Sequence, residues 1–307
     1  MTISDKLMII QRLTGLTQEK LAGKFGVSFV TINSWINGKS VPHLKAQALI
    51  DELYKQYTGQ KIIPKNVLQA KKELIYLKSK NNKNILKKIL NKPDIYDEFL
   101  LLLTYHTNSI EGSTLNENET GAILFYDKVL PNKSLVEQME VKNHKAALQY
   151  LLKYLVKEEK ITEELILKLH LILMNSIRDD AGFYRRYGVR IVGANVPTAN
   201  YIKVPDLMEK LTTLINAKKN DIVNQISEVH SVFEKIHPFG DGNGRVGRLI
   251  IVAMLLIKNF PPAIIRQENK KLYYTYLNKA QLHEDFSLLE DFLCDAIEDG
   301  FDVFGGE

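Results

Sequence analysis

Apolar residues recur at three- and four-residue intervals along most of the chain, a period that predicts helices. Leu7, Ile10 and Leu13 give the first apolar face. Thr17 is then placed as the N-cap of a helix over Gln18–Phe25, with Leu21 and Ala22 turned inward, and Gly26 ends it. Ser28 caps a second helix, Phe29–Asn37, in which Ile32, Trp35 and Ile36 are spaced for burial before Gly38 and Pro42 stop it. Two capped helices joined by a short turn with a glycine predict a helix-turn-helix within residues 1–57.

Residues 58–94 read as a helical connector, with Leu68, Leu74, Ile75 and Leu77 as its apolar positions. Between Lys61 and Lys92 it carries ten lysines against a single acid, Glu73. Such a run is ordinarily a solvated face, and contact with phosphates beside the helix-turn-helix is the alternative. Further helices are predicted at Tyr96–Glu111, stopped by Gly112, and at Glu117–Tyr126 and Ser134–Lys157. Others follow at Glu163–Ile177 (introduced by Thr162), Asp206–Ile215, Asp221–Ile236, Arg245–Lys258, from Leu272 onward, and Phe286–Ile297. The period changes once. Val189–Gly193 and Ala199–Val204 alternate like strands around Asn195-Val196-Pro197, which predicts a hairpin.

Composition narrows the class. The chain has 307 residues, 45% hydrophobic and 25% charged, enough for one large domain and a small one. A net charge of +5 does not by itself require a nucleic-acid partner. Cys294 is the only cysteine, which rules out an internal disulfide and fits a reducing cytoplasm. The longest purely apolar run, Leu249–Ile257, falls far short of a membrane span, and the N-terminus lacks the shape of a signal peptide. A cytoplasmic protein with no membrane partner is expected. No Cys/His cluster has ligand spacing, so no zinc is expected.

The candidate chemistry lies in Ile236-His237-Pro238-Phe239-Gly240-Asp241-Gly242-Asn243-Gly244-Arg245-Val246-Gly247-Arg248, between two predicted helices. Its glycines let backbone N–H groups turn inward as an anion nest, and the helix that follows adds free donors and the positive end of its dipole. Arg245 and Arg248, three apart in the first turn, are expected on one face and aimed at the same oxygens. Asp241 can hold a hard cation such as Mg²⁺, and His237 is the one group here able to take a proton near neutral pH. These parts suit a nucleoside triphosphate and a nucleophile that must lose a proton. Gly242–Gly247 also fits G-x-G-x-x-G, with Glu268 downstream, but that fingerprint needs a preceding strand and the residues before it are helical in period. Phe239 is expected to pack beneath the loop, and His230 to be a packed or solvent-facing histidine.

From His237 to Arg248 the chain resembles the complete H-x-F-x-[DE]-G-N-G-R-x-x-R motif of the Fic family, mostly enzymes that move AMP from ATP to a hydroxyl of a target protein. The resemblance covers roughly residues 95–300. It implies a mainly α fold: an all-helical core with one β-hairpin flap at 189–204, onto which a target segment adds as a strand. It also implies ATP and Mg²⁺ as cofactors, with Gly240, Asp241, Gly242, Asn243, Gly244, Arg245 and Arg248 around the phosphates, Asp241 on the metal, and His237 as base. Thr107-Asn108-Ser109-Ile110-Glu111-Gly112 resembles the family's inhibitory motif [ST]-x-x-x-E-[GN]. On that resemblance Glu111, ending a helix at 96–111, pairs with Arg248 and keeps it from the γ-phosphate. The family's adenosine wall falls on Val192, Gly193, Ala194 and Asn195. A tyrosine pair near the adenine falls on Tyr273 and Tyr274, while Gln281, seven residues beyond, stands where relatives carry asparagine.

The N-terminal string Leu16-Thr17-Gln18-Glu19-Lys20-Leu21-Ala22 … Gly26-Val27-Ser28 … Ile32-Asn33-Ser34-Trp35 resembles Cro/CI-type DNA-binding domains. In that reading Ser28, Phe29, Thr31, Asn33 and Ser34 face base edges or phosphates. The expected organisation is a helix-turn-helix domain at 1–57, a basic connector at 58–94 and a Fic domain at 95–307. The leading function is a protein adenylyltransferase acting on Ser, Thr or Tyr. Removal of AMP from a modified target, with Glu111 aligning a water, and a DNA-binding regulator that only senses nucleotide are the alternatives. Gly244 stands where phosphorylating relatives carry lysine, which favours nucleotidyl transfer. Oligomeric state is left open, with a homodimer among the arrangements.

Overall fold

The structure, a computed structural model, describes residues 1–190 and 196–304. Helices α1 (Ile3–Thr14), α2 (Gln18–Phe25), α3 (Phe29–Ile36) and α4 (Leu44–Tyr57) enclose a small core of their own around Leu7, Ile10, Leu21, Ile32, Trp35 and Ile50. The predicted caps set the starts of α2 and α3: the Thr17 hydroxyl accepts from Lys20 N at 3.3 Å and Ser28 accepts from Thr31 N at 3.2 Å. Gly26, at φ +65°, makes the left-handed turn between them.

A second core joins α5 (Lys65–Asn81), α6 (Ile85–Asn91), α7 (Pro93–Glu111), α8 (Glu117–Tyr126), α9 (Leu135–Leu155) and α10 (Glu163–Leu173). It continues through α11 (Val204–Ile215), α12 (Ile222–Ile236), α13 (Asn243–Ile257), α14 (Lys270–His283) and α15 (Ser287–Asp302). The apolar run after the glycine-rich motif becomes the centre of this bundle. Every residue of α13 from Arg245 to Leu256 is buried, with α7, α9, α10 and α12 packed around it. A helix apolar on all sides has no solvent face to offer and must be enclosed. Among the described residues, no helix is long and apolar enough to cross a membrane.

The lysine-rich segment packs along α15. Lys71 reaches Asp291 at 2.7 Å and Asp295 at 2.6 Å, Lys72 reaches Asp221 at 2.5 Å and Glu290 at 2.6 Å, and Lys78 pairs with Glu298.

The expected hairpin is corrected. Residues 191–195, which take in most of its first limb and the start of its turn, lie outside the described residues. Among the described ones, 196–200 are irregular, Tyr201–Lys203 is a 3₁₀ turn, and Val204 already begins α11. The physical reason is that this limb bonds elsewhere. Ala199 N donates to Lys235 O at 3.2 Å, and Ala199 O accepts from Arg185 Nη2 at 2.5 Å. Asn200, whose side chain accepts from Ile202 N at 3.0 Å, and Pro205 in the first turn of α11 supply helix-start chemistry that outweighs the alternation.

Candidate active site

Helix α12 delivers His237 into a loop that closes at the start of α13. His237 is itself left-handed, at φ +51°, and Gly242, at φ +78°, is the last residue before the helix. Three residues hold the loop in shape. Asn243 accepts from Phe239 N at 2.9 Å and donates to Phe239 O at 3.0 Å, so its amide closes the loop from within. His170 accepts from Gly182 N on Nδ1 at 2.9 Å, which leaves Nε2–H to donate to Asp241 O at 3.1 Å. Its ring lies flat on the buried Phe239, centroids 3.7 Å apart, and burial lowers its pKa to about 4. Arg185 donates to His237 O at 2.7 Å and to Ile236 O at 3.3 Å, while its backbone N–H donates to Pro238 O at 2.9 Å.

His237 Nδ1 lies 3.3 Å from Glu234 O. A carbonyl can only accept, so Nδ1 carries the hydrogen and Nε2 keeps its lone pair. Burial pushes the imidazole's pKa below its ordinary value, the Glu234 carbonyl opposes, and the Arg185 charge lowers it further. The group is therefore neutral at pH 7 and able to accept a proton. Asp241 has a side chain 54% exposed, with Oδ1 taking the Gly242 N–H at 2.6 Å. Among the described residues no three His, Cys, Asp or Glu side chains converge on a metal position. One exposed carboxylate fits Mg²⁺, which binds through one or two carboxylates and takes its other oxygens from phosphates and water.

The last turn of α7 grips Arg248. Arg248 Nε donates to Thr107 Oγ1 at 2.7 Å, and Nη2 donates to Glu111 Oε1 at 2.5 Å. Thr107 and Glu111, four apart, share one side of the helix. The Glu111 carboxylate lies over Gly244, where an added Cβ would sit 2.3 Å from Oε1, so any side chain here would displace the end of Glu111. Arg245 turns to α9 instead, its Nη1 donating to Glu140 Oε1 at 2.6 Å. The two arginines expected to aim at common oxygens are thus held by different acids. Neither lines the open cleft, whose wall here is Glu111 and Gly244.

That cleft has a volume of about 1130 Å³ and gathers Glu111, His237, the stretch from Gly240 to Gly244, and Tyr274 and Gln281 of α14. The tyrosine pair divides. Tyr274 lines the cleft, whereas Tyr273 is buried with its hydroxyl 2.5 Å from His230 Nε2. His230 is a packed histidine whose pKa burial lowers to about 3. Val192, Gly193, Ala194 and Asn195 lie outside the described residues.

In the N-terminal unit Ser28 and Phe29 are exposed and Thr31, Asn33 and Ser34 are half-buried. Asn33 donates to Gln18 Oε1 at 2.9 Å and the Ser34 hydroxyl is 2.7 Å from that of Ser40. Sequence reasoning missed His170, Glu140 and Glu234. Each is remote from the motif or on a helix whose period explains it, and none carries a local signal.

Residues 160–255, from just before α10 through most of α13, match the Fic/DOC family. The chain carries a Fic domain. Residues 10–53 match a helix-turn-helix family, so α1 to α4 supply a helix-turn-helix domain ahead of it. The chain is 35% identical over 209 residues to the protein adenylyltransferase Fic of Nematostella vectensis and 29% identical over 205 residues to that of Culex quinquefasciatus. Each match takes in 65% of this chain, which spans 47% and 40% of the length of those relatives. Among solved structures, Fic-1 of C. elegans (residues 134–508) superposes with a TM-score of 0.67 at 21% identity, over 94% of this chain and 84% of that one. A Fic-domain signaling protein from Bacteroides thetaiotaomicron gives 0.66 at 23% identity, over 77% of this chain and 97% of that one. At such identities the likeness establishes the fold alone.

Proposed function

We propose that this Fic-domain protein is a protein adenylyltransferase, transferring AMP from ATP to a Ser, Thr or Tyr hydroxyl of a target protein, and that Glu111 holds it idle. The observation that carries the reading is the position of Glu111. It occupies Arg248 and covers Gly244 in the same cleft that holds His237 and Asp241. The printed names of the relatives support the same transfer.

In this reading ATP lies with its phosphates on the N–H groups of Gly242, Asn243 and Gly244 at the positive end of α13. Asp241 would hold magnesium, whose charge would offset that of the phosphates. The target hydroxyl oxygen attacks the α-phosphorus, and its proton passes to Nε2 of His237. The bond from the α-phosphorus to the bridging oxygen breaks, and pyrophosphate leaves with the electron pair. Arg248, once released, stabilises the γ-phosphate and fixes the pose in which the α-phosphorus is open to attack. We also infer that the α2–α3 unit binds DNA through Ser28, Phe29, Thr31, Asn33 and Ser34, which a mobility shift of the full chain on its own promoter region tests. The lone Cys294 is buried, with its thiol pushed up to about 12 by burial, and is in keeping with a cytoplasmic location.

Labelled ATP tests the reaction. Glu111→Gly protein, Mg²⁺ and a cell lysate are expected to give bands absent from the lysate alone, labelled from α-labelled ATP and not from γ-labelled ATP. His237→Ala in the same background should reduce that label about 10²–10⁴-fold. Label from the γ position alone, or equal label with and without His237, contradicts the assignment.

A further inference from the structure

Part of the cleft wall comes from outside the Fic domain. Leu13, at the end of α1, and Thr58, Gly59 and Gln60, just after α4, line the same cavity as Glu111 and His237. The turn is rigidly attached to the helix-turn-helix unit. Thr58 Oγ1 donates to Tyr54 O at 2.6 Å, Gln60 N donates to Lys55 O at 2.8 Å, and Lys61 is 3.3 Å from Glu52. When that unit moves, the turn moves with it.

The turn also rests on α14. Gly59, at φ +70°, lies beside it: an added Cβ would make ordinary van der Waals contact with Thr275 Cγ2, at 3.5 Å. Tyr57 is buried although it belongs to neither hydrophobic core, and it neighbours Tyr276, whose phenol pKa is raised by burial first and then by Asp291, Glu52 and Tyr57. Tyr274, Thr275 and Asn278 line the cleft from a common side of α14, so Gly59 is seated beside the tyrosine that faces any occupant.

We propose that the helix-turn-helix unit is a component of the nucleotide site: Leu13 and the turn at 58–60 wall the nucleoside part of the cleft, so that nucleotide binding and seating of the unit on α14 are linked. The proposal rests on the reading of the cleft as a nucleotide site. If the motif loop takes the phosphates, a nucleoside reaching toward Tyr274 and Gln281 of α14 comes up against this turn. Linkage then works in both directions. A nucleotide held more tightly when the unit is seated must stabilise the seating by the same factor.

Hydrogen exchange on the full chain, with and without AMP-PNP and Mg²⁺, tests this. Slowed exchange in both the motif loop at 237–248 and the turn at 58–60 is expected. Slowing in the motif loop with the turn unchanged overturns the proposal and leaves the nucleotide reading intact. No slowing at the motif loop overturns both. A variant gives an independent measure. Gly59→Val forces a β-branched residue into left-handed backbone and lifts the turn from α14. Its affinity for AMP-PNP should fall about fivefold or more, with the helical circular dichroism unchanged. Affinity equal to wild type overturns the proposal. Should the variant fail to fold, the exchange measurement on the wild-type chain still decides.

Discussion

Glu234 shows most clearly how the surroundings of one side chain set its chemistry. It is buried on α12, one turn before His237, with Oε2 3.8 Å from His237 Nδ1, and its pKa is pushed up to about 8 by burial and by the nearby charge of Glu111, against Arg248. It is therefore uncharged at neutral pH. Unfolded, it ionises near 4.5. Between about 4.5 and about 8 the folded chain holds a proton the unfolded chain has lost, so this group's contribution to stability falls as pH rises through that window. The buried His144, His170 and His230, lowered to about 3, about 4 and about 3, act in the opposite sense as pH falls below 6.5. Glu234→Gln removes the carboxyl and leaves the histidines. Its urea stability relative to wild type is expected to improve steadily from pH 5 to pH 8, and a constant difference contradicts the assignment. His237 and Asp241 were legible in the sequence because proton and metal chemistry restrict residue type. Asn243 was legible only as part of the motif. Its amide faces inward to Phe239, a direction that no residue type reveals. His170, a lone histidine in an apolar helix, gave no sign that it would carry the Asp241 carbonyl.

At the scale of elements, α7 acts as a lever with two contacts on one guanidinium. Thr107 and Glu111 were legible as a spaced motif, and the structure gives the spacing its reason, since residues four apart reach the same arginine. Thr107→Val keeps the shape and removes the oxygen that accepts from Arg248 Nε. AMP transfer should rise severalfold above wild type and remain below that of Glu111→Gly. Transfer unchanged from wild type would leave Thr107 outside the switch. The second limb of the expected hairpin, 199–204, was misread for an equally local reason. Its alternation is real, but Asn200 and Pro205 start a helix and Arg185 takes the carbonyl that a strand partner would need. Arg185 sits among the residues before the segment, so a reading confined to the alternation leaves it out.

For the molecule as a whole, two cores and one cleft have to be held together. Within the larger core, ion pairs tie the lysine-rich helix α5 to α15 and to the start of α12, and Lys72 is enclosed between Asp221 and Glu290. Lys72→Ala leaves two acids facing each other without their cation, and a loss of about 3–5 kcal/mol is expected in urea unfolding. A loss below about 1 kcal/mol would show that solvent screens the pair. The sequence displayed the charge run but not its partners, because Asp221 and Glu290 lie 149 and 218 positions along the chain from Lys72. The central claim is that the enzyme is idle because Arg248 is occupied. Rates of AMP transfer should therefore be compared among wild type, Glu111→Gly, and Glu111→Gly with Arg248→Ala. The account predicts a rise of about 10²–10³-fold on removing Glu111 and loss of that gain when Arg248 is also removed. A double variant as active as Glu111→Gly alone contradicts it.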